Sequence, residues 1–422
     1  MRNRFFIWMR TFILFLAILS LTGCWSAKNV NDLAIINIIG IDQTDNGEIE
    51  VSTLLAKPDA LFTQANSGGQ GNETNKFLIQ TATGKSIFEA MGKLSKSISE
   101  RIYLGHANVV IFGEKAAREK MESSLDFFRR DNESRPGLLL LVTKGLASEI
   151  IKTSPELNST LGLEINDMVT SDQFSATKMV NDLSQFLKDL SSNTTDPITG
   201  VIVPANNMGI EAEGEKRESQ DDKQDTDNMS VNGNETPKAL SLQGTAVFRG
   251  GNLKGFLDER ETRGLLSIQG KLQNEIIMLN CGGHDNGTVG LMIKDTRSQF
   301  NPRISGQNLK MDVNIQVEAD IGEITCSNLQ LDTDEIEQLN KQLEDLIKQD
   351  SLSVLGKAQK QWETDIFGFG ESIYRNSPKE WDQLAPEWRS GNLKKMNVNL
   401  HVESNISRYG LQKEKSEAND SR

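Results

Sequence analysis

Along this chain the hydrophobic positions switch between two spacings, and the switches mark the elements. Leu33 to Ile41 is a nearly continuous apolar run, the pattern of a strand buried on both faces. Asp45-Asn46-Gly47 supplies a tight turn, and Ile49 to Leu55 returns as its partner. Asn66 to Asn75 reads as a polar loop and Lys76 to Thr81 as a third strand. From Gly84 the period lengthens, placing Ile87, Phe88, Met91, Leu94 and Ile98 on one helical face. Ile102 to Phe112 is expected as one strand closed by Gly113, and Ala117, Met121, Ser124, Leu125 and Phe128 mark a helix. A strand over Gly137 to Thr143, a short helix around Leu146 to Ile151, a longer one around Ala176 to Leu190 and a strand over Ile198 to Val203 follow.

Glu211 to Lys238 breaks the pattern, with nine acids, four bases and almost no large apolar side chain. Such a stretch cannot bury enough surface to offset its ordering entropy, so 206–238 reads as an acidic, disordered linker. It contains no Asp-x-Asp-x-Asp-Gly spacing for Ca²⁺. Beyond it, Gln243 to Arg249 and Leu253 to Leu257 are short strands around Gly250-Gly251, and Glu261 to Ile268 is a short helix. Glu275 to Asn280, Thr288 to Phe300 and Leu309 to Ile324 form a wide antiparallel meander. In the last, Met311, Val313, Ile315 and Val317 alternate with polar residues, so one face only is buried. Asp332 and Glu335 open a helix whose stripe of Ile336, Leu339, Leu343, Leu346 and Ile347 packs on its own sheet. It continues to about Trp362. A short helix over Pro378 to Trp388 and a final strand over Met396 to Val402 complete the pattern, and 411–422 is a charged tail. The fold class is mixed α/β (α+β), multi-domain, with mixed or antiparallel sheets and packed helices.

Composition narrows the function. The chain is 37% hydrophobic, and its 46 basic against 59 acidic side chains give a net charge of −13, the wrong sign for gripping nucleic acid. Arg2, Arg4 and Arg10 precede an uncharged run of 11 residues, Thr11 to Leu21. That is the length of a signal h-region and short of the ~20 residues that span a bilayer. Leu21-Thr22-Gly23-Cys24 then has the form of a bacterial lipobox. Cleavage after Gly23 leaves Cys24 to carry a diacylglycerol thioether and an N-acyl (palmitate) chain, giving a lipid-anchored N-terminus. Two or more chains make a stable anchor, whereas one is marginal. Loss of the three arginines takes the mature chain to −16, so lipid rather than charge is the tether. Of the remaining cysteines, Cys281 and Cys326 are read as small buried side chains, with a disulfide as the alternative open outside the cell.

Candidate chemistry is sparse. His106, His284 and His401 are scattered, without a second His at i+4 or a CxxC nearby, so no metal site is expected. Cys281 and His284 share a Gly-rich turn but lack a further ligand pair. There is no Gly-x-Ser-x-Gly, Walker loop or dinucleotide fingerprint, and no cofactor is expected. Acids such as Glu149 and Glu164 are too numerous to pair by sequence. The run from Arg129 to Arg135 reads as a helix C-terminus followed by a salt-bridged turn, with receipt of a partner's acid as the alternative.

Three blocks together resemble one family. They are Gly23-Cys24-Trp25 with Asn31-Asp32-Leu33-Ala34-Ile35-Ile36 and Gly40-Ile41-Asp42; Tyr103-Leu104-Gly105-His106 with Val109 to Glu114, Phe127-Phe128-Arg129-Arg130-Asp131 and Arg135; and Gly244-Thr245-Ala246-Val247-Phe248 with Leu253 to Leu257 and Glu261-Thr262-Arg263-Gly264-Leu265-Leu266. The chain resembles the Ger(x)C family, the lipoprotein C subunits of bacterial spore nutrient-germinant receptors. Ser26 stands where the family tends to have an acid, and the acidic linker is not a family hallmark. The resemblance implies a signal peptide over 1–23, an N-terminal region over 24–205 that can divide in two, and a C-terminal domain over 239–410. It further implies a non-enzymatic subunit on the outer face of the spore inner membrane, with the polytopic A subunit and the transporter-like B subunit as partners. A lipid-anchored solute-binding protein and an anchored cell-wall hydrolase are the alternatives, the first needing a deep aromatic-lined cleft and the second paired carboxylates in a groove.

Overall fold

A computed structural model describes residues 33–56, 77–155, 158–171, 179–204, 239–281, 287–305, 308–327 and 331–407, with isolated positions besides and a helical stretch at 7–11. Most of the signal segment, Cys24, the loop at 66–75, the linker and the tail lie outside the described residues.

The first sheet grows around one apolar strand. β1 (Leu33–Gln43) is buried at every position but Ile35. It pairs antiparallel with β2 (Ile49–Ala56), which pairs with β3 (Phe77–Gly84). On its other side the sequence departs from expectation, because Ile102 to Phe112 is not one strand. β4 (Arg101–Tyr103) and β5 (Val109–Gly113) both run parallel to β1. Between them the chain turns, with the Ala107 N–H donating to the Leu104 carbonyl at 2.9 Å. The Tyr103 ring lies over Gly105, in the space that a Cβ there would occupy. β6 (Leu139–Thr143) and β7 (Ile198–Pro204) extend the parallel set.

Helices cover both faces of this sheet. One face takes α1 (Ile87–Ser97), α2 (Glu114–Glu119), α3 (Met121–Arg130) and, after two helices of the opposite face, α6 (Leu183–Ser191). Where one helix is expected over Ala117 to Phe128, the chain breaks at Lys120 (φ −125°, ψ −1°) into α2 and α3. Phe88, placed by its spacing on the packed side of α1, is 78% exposed. The opposite face takes α4 (Ala147–Ile151) and α5 (Leu161–Thr170), the latter not foreseen from the sequence. Its short stripe of Leu161 and Ile165 is too brief to stand out from the surrounding loops.

The two strands beyond the linker, β8 (Leu240–Arg249) and β9 (Asn252–Leu257), add to this first sheet next to β7. The sheet thus has nine strands in the order β3-β2-β1-β5-β6-β7-β8-β9, with β4 against β1. α7 (Glu259–Gln269) leads out of it to a second sheet, ordered β10 (Ile276–Asn280), β11 (Thr288–Ser305), β12 (Asn308–Ile324) and β13 (Asn397–Ser407). The meander holds for β10 to β12, whereas β13 joins β12 in parallel. α8 (Thr333–Leu355) is capped by Asp332, whose carboxylate accepts the Glu335 N–H at 2.9 Å, and packs Leu339, Leu343 and Ile347 inward. It runs on through a π-helical segment, Gly356–Trp362, before α9 (Phe369–Asn376) and α10 (Pro378–Leu384). Side chains of α8 also close the far half of β13: Glu344 accepts the Ser404 N–H at 2.9 Å and Asn340 the Ile406 N–H at 3.1 Å. That covers part of an otherwise open strand edge.

Cys281 and Cys326 correct the reading of two free buried cysteines. They are joined in a disulfide, Cα atoms 6.0 Å apart, linking the end of β10 to the end of β12. Strand-like surroundings alone gave no sign that register would bring the two ends together.

Candidate functional site

Cys24 and Gly23 fall outside the described residues, and the first strand begins nine positions later, at Leu33. Fully extended, that tether reaches at most about 30 Å. Among the described residues no helix is long and apolar enough to cross a membrane.

The other residues singled out from the sequence are dispersed. His106 packs edge-on against Tyr103 and lies 3.3 Å from Arg135 Nη2. His401 sits on the exposed face of β13 beside Glu403, and His284 lies outside the described residues. Among the described residues, no three His, Cys, Asp or Glu side chains gather as metal ligands. Glu149 is on α4 and Glu164 on α5, where the Asn158 N–H donates to it. Neither lines two depressions on the surface of the described residues, of about 610 and 410 Å³. The larger holds Glu119, Glu122 and Asp126, but Glu119 accepts from the Gln43 amide and Asp126 is paired with Arg130 at 2.7 Å. Arg130 holds the Asp126 carboxyl below its ordinary range, so it is no candidate acid.

The Arg129 to Arg135 run forms the salt-bridged turn its sequence suggests. Arg130 bonds back to Asp126, Asp131 accepts the Ser134 N–H at 2.7 Å, and Glu133 pairs with Arg101 at 2.7 Å.

The remaining family-like blocks are spent on the fold. Asp42 caps α4, accepting the Ala147 and Ser148 N–H groups at 2.8 and 2.9 Å. Burial pushes its carboxyl up while these two bonds oppose the shift. In the third block, Asp258 and Glu261 close a capping box on α7, and Glu261 holds Lys357 at 2.6 Å. Arg263 pairs with the buried Asp350 of α8 at 2.6 Å. Gly264 lies where α7 crosses α8, so close that a Cβ would overlap the Asp350 carbonyl. Thr262 and Thr245 share a buried hydroxyl contact at 3.1 Å.

A polar cluster that sequence reasoning missed joins the two parts of the molecule. Asp365, fully buried, accepts N–H bonds from Phe367, Gly368, Phe369 and Gly370 and from the Trp388 indole, at 2.7–3.2 Å. Across the junction, Asp196 and Asp365 exchange bonds. The Asp196 N–H donates to the Asp365 carbonyl at 2.8 Å, and the Asp365 N–H to Asp196 Oδ2 at 2.8 Å. Arg389 Nε lies 2.9 Å from Asp196 Oδ1, charge-paired without hydrogen-bond alignment, while Nη2 donates to the Ser192 and Thr195 carbonyls. Gly370 permits the approach, since a Cβ would sit 2.6 Å from the Thr194 carbonyl. The only signal in the sequence is an aspartate just ahead of Phe367-Gly368-Phe369-Gly370, whose glycines let several N–H groups turn toward one carboxylate.

Comparison with known proteins fits these observations. A family model described as the spore germination protein N-terminal domain matches residues 26–204, and one described as spore germination B3/GerAC-like, C-terminal, matches 243–410. The chain is 27% identical over 405 residues to spore germination protein KC of Bacillus subtilis (strain 168), covering 94% of this chain and 95% of that protein. It is 22% identical over 381 residues to spore germination protein B3 of the same organism, covering 89% and 91%. The crystal structure of the GerBC protein aligns with a TM-score of 0.54 at 15% identity, covering 87% of this chain and 96% of that one, a likeness of fold. With both halves of the chain accounted for in order and the architecture shared, this protein belongs to the Ger(x)C family of spore germination proteins.

Proposed function

We propose that this chain is the lipid-anchored, non-catalytic C subunit of a spore germinant receptor. Fixed by Cys24 to the outer face of the spore inner membrane, it docks on the A and B membrane subunits and supports their assembly and signalling. The observation that carries the reading is where the family-like blocks place their side chains. Asp42, Gly105, Asp131, Glu261, Arg263 and Gly264 cap helices, close turns or let helices cross, and none of them lines either depression described above. A protein that binds its partners through a large rigid body needs such residues; an enzyme needs groups aimed at a substrate. The disulfide supports a location in an oxidising compartment. On this reading the end of the first sheet where β1 begins, with the Arg101–Glu133 pair, stays within about 30 Å of the bilayer. A solute-binding protein is less well supported, because neither depression is lined by Phe, Tyr or Trp.

Cys24→Ala tests the anchor. Because the residue precedes β1, the fold should persist while the subunit's effective concentration beside its partners drops. Capture from solubilised spore membranes should then recover far less A and B subunit than the unaltered chain does. Equal recovery would contradict the role of the lipid. A deletion strain whose A and B subunits remain abundant, assembled and fully nutrient-responsive would contradict the scaffold itself.

A further inference from the structure

We propose that the end of the first sheet at which β1 begins is a lipid-facing surface, where Arg135 and His106 bind the phosphate of an anionic headgroup. The inference rests on the anchored reading of Cys24. Two turns meet at this end: the one between β4 and β5 carries His106, and the one after α3 carries Arg135. Arg135 Nη2 donates to His106 Nδ1 at 3.3 Å. A guanidinium can only donate, so Nδ1 accepts and the ring proton stands on Nε2. That leaves the Nε2–H and the unused guanidinium N–H groups as donors, on two exposed side chains. The acids of the same run are engaged elsewhere: Asp126 with Arg130, Asp131 with Ser134 and Glu133 with Arg101. Among the described residues no acid pairs with Arg135. A cation held against a second donor, with no acid opposite, is completed by an anion that offers several oxygens.

Position and surroundings favour a lipid phosphate over an acid on a partner protein. Leu33, where the described chain of the body starts, is the register partner of Arg101, and Ile35 that of Tyr103. The nine positions from Cys24 to Leu33 reach at most about 30 Å, which keeps this end near the bilayer. Apolar side chains share the end. Leu78 and Ile79, each 37% exposed on the edge strand β3, stand opposite Leu55 and Leu54, which pair with Ile36 and Ile38 of β1. Arginine, a half-buried tyrosine ring and part-exposed aliphatic side chains together suit a surface that rests at headgroup depth. The body as a whole is acidic, so an anionic bilayer repels it except where this patch faces down. The patch therefore sets orientation, while the lipid on Cys24 sets attachment.

For the test, the full mature chain is held through position 24 on vesicles of phosphatidylcholine, alone or mixed with phosphatidylglycerol. If Cys24 is isolated unacylated, a maleimide-bearing lipid fixes it instead, since the other two cysteines are joined. That finding would contradict the anchored reading and leave this test intact. Hydrogen exchange is followed by mass spectrometry over 104–108 and 131–137. On the anionic vesicles both segments should exchange roughly fivefold more slowly, the shift that one basic side chain near an anionic surface supplies. Residues 310–318 of β12 should not respond. Arg135→Gln together with His106→Gln should abolish the difference, and unchanged exchange in β1 shows that the fold persists. Arg135→Gln alone leaves the His106 turn intact and should remove most of it. Equal exchange on the two kinds of vesicle, or a difference that survives both variants, overturns the proposal. Equal slowing by inorganic phosphate without vesicles also overturns it, as a site for free phosphate. Slowing on phosphatidylcholine that requires the A and B subunits overturns it as well, in favour of a protein-docking surface.

Discussion

The two sheets differ in how their strands are covered. β1 is apolar almost throughout because helices cover both faces of its sheet. β12 alternates because only one face of its sheet is covered. Met311, Val313, Ile315 and Val317 face the core, while Asp312, Asn314, Gln316 and Glu318 face out. On that outer face the register sets Gln299, Asn314 and His401 on one rung and Arg297, Gln316 and Glu403 on the next. Arg303–Asp312 at 2.8 Å and Asn399–Asp312 at 2.8 Å satisfy neighbours within the face. A docking surface needs an apolar centre that loses water on binding; the wall formed by β12 and β13 is polar, and the half-exposed apolar side chains of this face, Ile276 and Met278, lie on β10. On the proposed receptor role, partner contacts are expected away from the polar stretch around Gln316.

Substitutions can break the comparison. Phe112, fully buried in the first sheet, should cost about 3–5 kcal/mol as Phe112→Ala in urea denaturation, because helices on either side cannot collapse into the void. A loss near 1 kcal/mol would show that the double cover is loosely packed. The second sheet lacks that cover and has a covalent tie instead. Replacing both cysteines by alanine should cost about 2–4 kcal/mol, a cost that reducing agent reproduces in the unaltered chain. No change on reduction would mean that the tie contributes little. Gln316→Ala, on the solvated wall, should stay within about 0.5 kcal/mol and leave subunit capture unchanged. Lost capture with unchanged stability would move the docking surface onto the second sheet.

Strand existence and burial were largely legible because both sheets write their layering into a local period. β1, β2 and the alternation of β12 follow directly from it. What escaped depends on contacts distant in sequence. β8 and β9 join the first sheet across the linker, β13 chooses parallel pairing, and the two cysteines meet through register. The Asp196–Asp365 clasp spans 169 positions and rests on main-chain N–H groups, which carry no residue-type signature. Phe88 fails for a different reason: a helical face was identified correctly, but its edge extended further than the neighbouring elements cover. The lipobox at Cys24 remains readable only as chemistry, since it lies outside the described residues.

The central claim is that lipid on one cysteine keeps an inert body beside two membrane subunits. Its most direct test is affinity capture of this chain from detergent-solubilised membranes of dormant spores, with mass spectrometry of the N-terminal peptide. The account predicts a chain that starts at an acylated Cys24 and brings A and B subunits with it. Recovery of the chain alone, in the soluble fraction with an unmodified Cys24, would contradict it.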